Sequence, residues 1–248
     1  MPETWGEWDT VTEALWPFYD ALIRYNAHTN LTRITSPEGF LWRHLADSLV
    51  AQKYIPNAAT VMDIGSGAGF PAIPLALFRP DLRVIAVESV AKKTRFITEM
   101  AQALTPLGST VPGLPLQVVT ERIEAVAHQP QYRGKANIVT ARALAALPML
   151  LELGLPLLKT SGHLVAYKTL ESLVNDSPDV ITTRHLLTAL GGAFEKTIPL
   201  EQAMLPGACL VVFRKKAPSP SKYPRPYGQI KNGPKTVKAK KKATQKTS

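Results

Sequence analysis

The 248-residue chain has a single cysteine, Cys209. That excludes an internal disulfide and any cysteine-cluster metal site, and no metal is expected. Nor does any apolar run approach the roughly 20 residues that a membrane-spanning helix needs. The start, Met1-Pro2-Glu3-Thr4-Trp5-Gly6-Glu7, is acidic and lacks the basic and apolar regions of a signal peptide. The expectation is a cytoplasmic protein with no membrane partner. Acidic residues are missing from the C-terminal end, where basic ones gather. Of the 29 Lys and Arg, twelve lie between Arg214 and Ser248, where there is no Asp or Glu. The net charge of +10 therefore belongs to the C-terminal end, because the seventeen remaining basic residues face nineteen acidic ones. Lys235 to Lys246 reads as a disordered polycation, which either solubilises the chain or draws it to phosphates. Just upstream, Tyr223-Pro224-Arg225-Pro226-Tyr227-Gly228 alternates aromatic and basic residues with stiffening prolines, and could pack on the body or stack on bases.

With 45% hydrophobic residues, the chain can bury one good core plus a small appendage. Apolar residues at helical spacing over 10–26 predict a first helix. Ser36-Pro37-Glu38 predicts a second, with Ser36 as cap and Phe40, Leu41, His44, Leu45, Leu49 and Val50 along it. Strands and helices then alternate. Strands are expected at 60–63, 83–88, 116–119, 137–140 and 163–167, with helices near 70–78, 91–104, 121–127, 147–158 and 182–190 between and after them. Two closing strands near 194–200 and 209–214 form a hairpin, and Thr105 to Pro115 reads as a surface insertion. Such alternation predicts an α/β fold, a parallel sheet with right-handed crossovers. The expected organisation is a helical cap over 1–56, a Rossmann-like core over 57–216 and a basic, partly disordered tail over 217–248.

The most informative stretch is Val61-Met62-Asp63-Ile64-Gly65-Ser66-Gly67-Ala68-Gly69-Phe70-Pro71. An apolar strand ends in an acid, alternate glycines follow, and a second strand ends in Glu88. This layout binds an adenine nucleoside at the carboxyl edge of a parallel sheet. A dinucleotide fold wants Gly-x-Gly-x-x-Gly before a pyrophosphate, but here Phe70 stands where its third glycine belongs. A Walker lysine is absent too. The loop allows close approach to its backbone without calling for a phosphate, and Glu88 can accept two free ribose hydroxyls. These features favour S-adenosylmethionine and a class I methyltransferase sheet.

Several further pieces resemble the bacterial small-subunit ribosomal RNA methyltransferase G family, also called glucose-inhibited division protein B. They are Tyr25 to Thr32, Arg43-His44-Leu45-Ala46-Asp47-Ser48-Leu49, Asp63 to Pro74, Lys92-Lys93-Thr94-Arg95-Phe96, Ala141-Arg142-Ala143 and Tyr223-Pro224-Arg225. Their order around the glycine loop makes the resemblance specific, over about residues 20 to 234. The chain differs from the family's usual residues at Ala72, Thr169 and Ala208-Cys209, the last replacing a basic pair near the expected RNA face. The resemblance implies methylation of guanine N7 in the decoding-region loop of 16S ribosomal RNA, with that RNA or the 30S subunit as partner; a monomer is expected.

The expected cofactor residues are Gly65 and Gly67 beneath the methionine part, Phe70 as a wall, Glu88 on the ribose, and Ser89 and Val90 around the adenosine. The resemblance adds Ile123 and Glu124 at the adenine, although Glu124 read alone is an ordinary helical glutamate. Thr140-Ala141-Arg142-Ala143 stands where amine-directed methyltransferases carry an Asn/Asp-Pro-Pro-aromatic motif. A pyrimidine carbon-5 mechanism needs a cysteine nucleophile, and Cys209 lies far off in topology. Guanine N7 needs neither device. Arg142 is expected to hold the cofactor, guanine O6 or a phosphate. Arg43, Lys92, Arg95, Lys168 and Arg225 are candidate RNA contacts, none of them catalytic, and His44 is expected to tie cap to core through Asp47. Three rival readings remain: a methyltransferase of small molecules or proteins, an RNA-associated protein that binds S-adenosylmethionine without turnover, and an oxidoreductase.

Overall fold

A computed structural model of the protein describes residues 8–176, 180–200 and 206–231. Helix α1 (Trp8–Thr29) is followed by one helical run of three pieces: α2 (Pro37–Gly39), a π-helical stretch Phe40–Ala46, and α3 (Asp47–Leu49). Ser36 begins this run as expected, its Oγ accepting the Gly39 N–H at 3.1 Å. The sequence predicted an ordinary α-helix here. Its apolar spacing does not separate the two forms, since Phe40, His44 and Leu45 reach the buried side in this π geometry.

Alternating elements come next: β1 (Thr60–Ile64), α4 (Ala72–Phe78), β2 (Arg83–Glu88), α5 (Ala91–Ala103), β3 (Leu116–Thr120), α6 (Ile123–Val126), β4 (Ala136–Arg142) and α7 (Leu147–Gly154). The chain continues through β5 (Leu158–Thr169), α8 (Leu170–Asp176), α9 (Val180–Ala189), β6 (Gly192–Pro199), β7 (Ala208–Lys215) and α10 (Tyr227–Lys231). Helix α7 stops earlier than expected. Pro156 lacks an N–H and crowds the turn before it, so one 3-10 turn follows and Leu158 already pairs with Ala136.

The seven strands lie in the order β3-β2-β1-β4-β5-β7-β6. The pairs among β3, β2, β1, β4 and β5 are parallel, and β7 runs antiparallel to both of its neighbours. Strand side chains alternate between two cores. Val61, Val84, Ala86, Ile138, Val165 and Leu210 face α1, the π-helical stretch, α4 and α5. Met62, Ile64, Ile85, Val87, Val139, Leu164 and Val211 face α7 and α9. Phe18 of α1, fully buried, stacks on Phe70 and Phe96, which locks the first helix onto the sheet. The expected insertion is tied down where Leu107 N–H donates to Leu77 O and Leu114 N–H to Ala101 O.

Beyond β7 the chain turns back as a strap across the α6–α7 face. Arg133 donates to the carbonyls of Tyr223, Ser219 and Pro220. Arg225 grips Glu152, a carboxylate with 1% exposure, through its own N–H, Nε and Nη2 at 2.8, 2.8 and 2.7 Å. The polycation at Lys235 to Lys246 lies outside the described residues.

Candidate active site

Strand β1 pairs with β2 on one side and β4 on the other, so the chain's crossovers leave in opposite directions from its end. A crevice opens at such a switch point, beyond the carboxyl ends of the strands. Here it is a cavity of about 520 Å³. The loop after β1 supplies Gly65 to Ala68 and Phe70, and the end of β2 supplies Glu88 and Ser89. Arg122 to Glu124 follow β3, Arg142 ends β4, and Ala143 and Leu144 follow it. Leu31, Thr32, Ile34 and His44 close it from the cap, and Met149, Leu153 and Tyr227 from the opposite side.

Glu88 organises the floor. Its Oε2 accepts the Gly67 N–H at 3.0 Å and its Oε1 accepts the Val90 N–H at 2.9 Å, while the residue is only 7% exposed. One carboxylate thus fixes the glycine loop and the β2–α5 turn together, and each oxygen keeps a lone pair for a ligand. Gly65 and Gly67 have φ of +69° and +59°. A Cβ on Gly65 would sit 2.4 Å from Leu144 Cδ1, whereas one on Gly67 would find only Gly65 O, 3.9 Å away. Space over Gly67 is therefore kept open at the backbone itself. This cradle suits a nucleoside with free ribose hydroxyls, so the residues present fit S-adenosylmethionine.

Beneath the cradle lies Asp63, buried at the end of β1, whose Oδ1 accepts the Thr140 hydroxyl at 2.9 Å. Burial raises its pKa to about 6, against the lowering effect of hydrogen bonds to Ser66 and Thr140. Arg142, at the end of β4, turns into the cap. It donates to the carbonyls of Arg43 and His44 and to Ser48 Oγ, and its Nη2 lies 4.0 Å from Asp47. Burial pushes the Arg142 pKa down, with Asp47 opposing. His44 lies face to face on Phe70, centroids 4.3 Å apart and planes within 9°. Its Nε2 is 2.7 Å from Thr32 Oγ1, and its buried Nδ1 has no hydrogen-bond partner among the described residues. Burial, then Arg142 and Arg43, lower its pKa to about 4, so the ring is neutral near pH 7.

The rRNA small subunit methyltransferase G family model matches residues 11–189. A ribosomal RNA small subunit methyltransferase G of Roseiflexus castenholzii is 40% identical over 215 residues, 85% of this chain and 86% of that one. The protein of the same name from Halalkalibacterium halodurans is 35% identical over 217 residues, 85% of each chain. The chain belongs to this family. Among solved structures, a 16S rRNA (adenine(1408)-N(1))-methyltransferase variant from Catenulisporales acidiphilia aligns with a TM-score of 0.51 at 18% identity, covering 70% of this chain and 92% of that one. At that identity the likeness concerns the fold alone, a class I methyltransferase sheet. No helix of the described residues is long and apolar enough to cross a membrane, and no group of His, Cys, Asp or Glu among them could hold a metal ion.

Of the residues that the sequence assigned to the cofactor, Gly65, Gly67, Phe70, Glu88, Ser89, Ile123, Glu124 and Arg142 line the cavity. Val90 does not line it and acts through its N–H on Glu88. Arg142 touches the cap as well as the cavity, a role the sequence did not disclose. His44 reaches the core by stacking on Phe70 and not through Asp47, whose carboxylate faces Arg142 instead. Of the candidate RNA contacts, Arg43, Lys92 and Arg95 are exposed. Lys93 is the lysine of that helix that lines the cavity. Lys168 donates to Ala145 O at 2.7 Å, and Arg225 is held by Glu152. Sequence reasoning assigned no role to Thr32, Arg122 or Leu144, and read Tyr227 only as part of a segment that packs on the body or stacks on bases. Thr32 and Tyr227 stood inside stretches that attracted notice, whereas Arg122 and Leu144 carried no signal short of the fold.

Proposed function

We propose that this protein transfers a methyl group from S-adenosylmethionine to N7 of a guanine in the decoding-region loop of 16S rRNA. The observation that carries the reading is the Glu88–Gly67 cradle at the switch point, on a chain of the rRNA small subunit methyltransferase G family. When bound, S-adenosylmethionine supplies an electrophilic methyl group on a sulfonium. Gly65, Gly67, Glu88 and Ser89, with Ile123 and Glu124, are the residues that would hold it.

The rest of the site suits positioning and not proton transfer. Guanine N7 offers an unprotonated lone pair in the base plane at neutral pH, so no general base has to act. His44, neutral and stacked on Phe70, then forms a wall. Arg142 keeps the cap closed on the sheet through the Arg43 and His44 carbonyls, which excludes water and fixes the path of a base toward the floor. Leu31, Ile34, Leu144 and Met149 add an apolar lining against which a flat base can lie. We place this reaction in the cytoplasm and on the 30S subunit. A single chain carries it out in this reading.

The test is transfer from labelled S-adenosylmethionine to 30S particles and to stripped 16S rRNA, with mapping of N7-methylguanine by strand cleavage. The expected result is one modified guanine in the decoding-region loop, lost with Glu88→Ala. Cofactor binding without transfer to either substrate would overturn the reading. It would point to a different substrate or to a non-catalytic protein.

A further inference from the structure

The strap after β7 reaches the cavity. Its helix α10 stands against α7 and buries Ile230 at 4% exposure, with Arg225 on Glu152 just before it. Lys215 and His128 pin its earlier part: Lys215 Nζ donates to Leu190 O and to Ser219 Oγ, and His128 Nε2 bonds Pro224 O at 2.8 Å. This anchoring delivers Tyr227 to the cavity wall with its side 40% exposed. The Arg122 guanidinium lies 4.1 Å from the centre of the Tyr227 ring, while Arg122 Nε donates to Glu124 Oε1 at 2.9 Å. Arg122 is thus suspended between a carboxylate and an aromatic face.

Register tells which end of the cavity this is. Glu88 at the end of β2 pairs with Thr120 at the end of β3, and Arg122 follows two residues later. A nucleoside whose ribose is held by Glu88 would therefore have Arg122 and Tyr227 beside it on the β3 side. The Arg122–Glu124 pair is half exposed on the arginine side, so it adds little to stability. Its effect is to order a flat cation and a flat ring before any ligand arrives, which lowers the entropy lost on binding.

We infer that Tyr227 and Arg122 form the outer wall of the nucleoside end of this cavity, closing on the adenosine of S-adenosylmethionine, and that the strap is part of the cofactor site. The inference rests on the reading of the cavity given under Proposed function. Tyr227 and Arg122 are positioning residues, since neither is placed at the reacting methyl group.

The experiment is calorimetry on the full chain with S-adenosylhomocysteine and with 5′-methylthioadenosine, which lacks the amino-acid end. Wild type, Tyr227→Ala, Tyr227→Phe, Arg122→Ala and Glu88→Ala are compared, and the ligand-free melting temperature of each is recorded. Tyr227→Ala is expected to weaken both ligands about tenfold, in the range of a lost aromatic stacking contact. Tyr227→Phe keeps the ring and the affinity, and the ligand-free Tyr227→Ala melts close to wild type. Affinity within about twofold of wild type for Tyr227→Ala, with Glu88→Ala weakened, would overturn the inference and leave the cavity's assignment standing. A rise only in KM for RNA would overturn it too, by turning the pair toward the other substrate. No affinity in the wild-type protein would overturn both.

Discussion

Replacing Arg225 by Ala tests whether the strap is a structural part of the body. The perturbation falls on Glu152, whose carboxylate is 1% exposed and accepts the Arg225 N–H, Nε and Nη2. After the substitution the backbone donor remains and both guanidinium bonds vanish. Removing one partner of a buried ion pair costs about 3–5 kcal/mol, because the other charge stays buried without compensation. Arg225 is 24% exposed on its side chain and the backbone bond survives, so about 2–3 kcal/mol is the working figure. For a chain of this length that lowers the melting temperature by about 5–10 °C. Urea unfolding and thermal melts measure it, with S-adenosylhomocysteine affinity as a second readout, since a loosened strap also releases Tyr227. Glu152→Gln removes the stranded charge, so in that background Arg225→Ala should cost less than about half as much. A melting temperature within about 1 °C of wild type, together with weakened RNA binding, would refute the reasoning. Arg225 would then be the exposed RNA contact that its sequence surroundings led us to expect.

Two further outcomes follow from the same geometry. The first concerns His44, whose pKa falls to about 4 in the folded chain from 6.5, so the unfolded chain takes up the proton first and stability is lost as pH falls through that interval. Asp63, raised to about 6, works in the opposite sense: its folded form is protonated first, and stability is gained as pH falls from there toward 4. His44→Phe should therefore lose less stability on acidification from pH 7 to 4.5 than wild type, by urea midpoints; parallel curves would contradict this. The second concerns where the basic tail can be cut. Truncation after Lys231 removes six lysines and should shallow the salt dependence of RNA binding while S-adenosylhomocysteine affinity stays as in the full chain. Truncation after Lys216 also takes away Tyr227 and Arg225 and should weaken that affinity at least tenfold, by about 1.4 kcal/mol. Equal cofactor affinity in both truncations would remove the strap from the site.

Much of this site could be read in the sequence because local signals and tertiary geometry agree there. Glu88 ends an apolar strand and Gly65 and Gly67 follow another, and a parallel sheet carries both ends to one edge whatever the side-chain packing. Residues that act across long sequence distances were legible only in part. Arg142 ends β4, which runs two residues beyond the strand read from the sequence, and its partners lie almost a hundred positions away in the cap. No local pattern announces such a pairing. The π-helical stretch Phe40–Ala46 escaped for another reason, since its apolar residues repeat at intervals that an α-helix shares.

The C-terminal segment is the sharpest case, because its composition pointed two ways. Tyr223 to Gly228 carries aromatics, a cation and prolines, which serve equally well to bind bases or to pack on protein. What decides between these is a carboxylate seventy-three residues upstream, Glu152, buried in α7 where a helix reading expects only apolar side chains. A buried acid on an otherwise apolar helix is costly unless a cation comes to it, and the cation has to come from elsewhere in the chain. Glu152 in Leu147-Pro148-Met149-Leu150-Leu151-Glu152-Leu153 was therefore the available sign that some arginine is taken into the body. The strap answers that demand, and in answering it carries Tyr227 to the ligand. Stability and ligand binding are coupled at this point of the fold. A substitution at Glu152 or Arg225 should consequently move both melting temperature and cofactor affinity, whereas one at Tyr227 should move affinity alone.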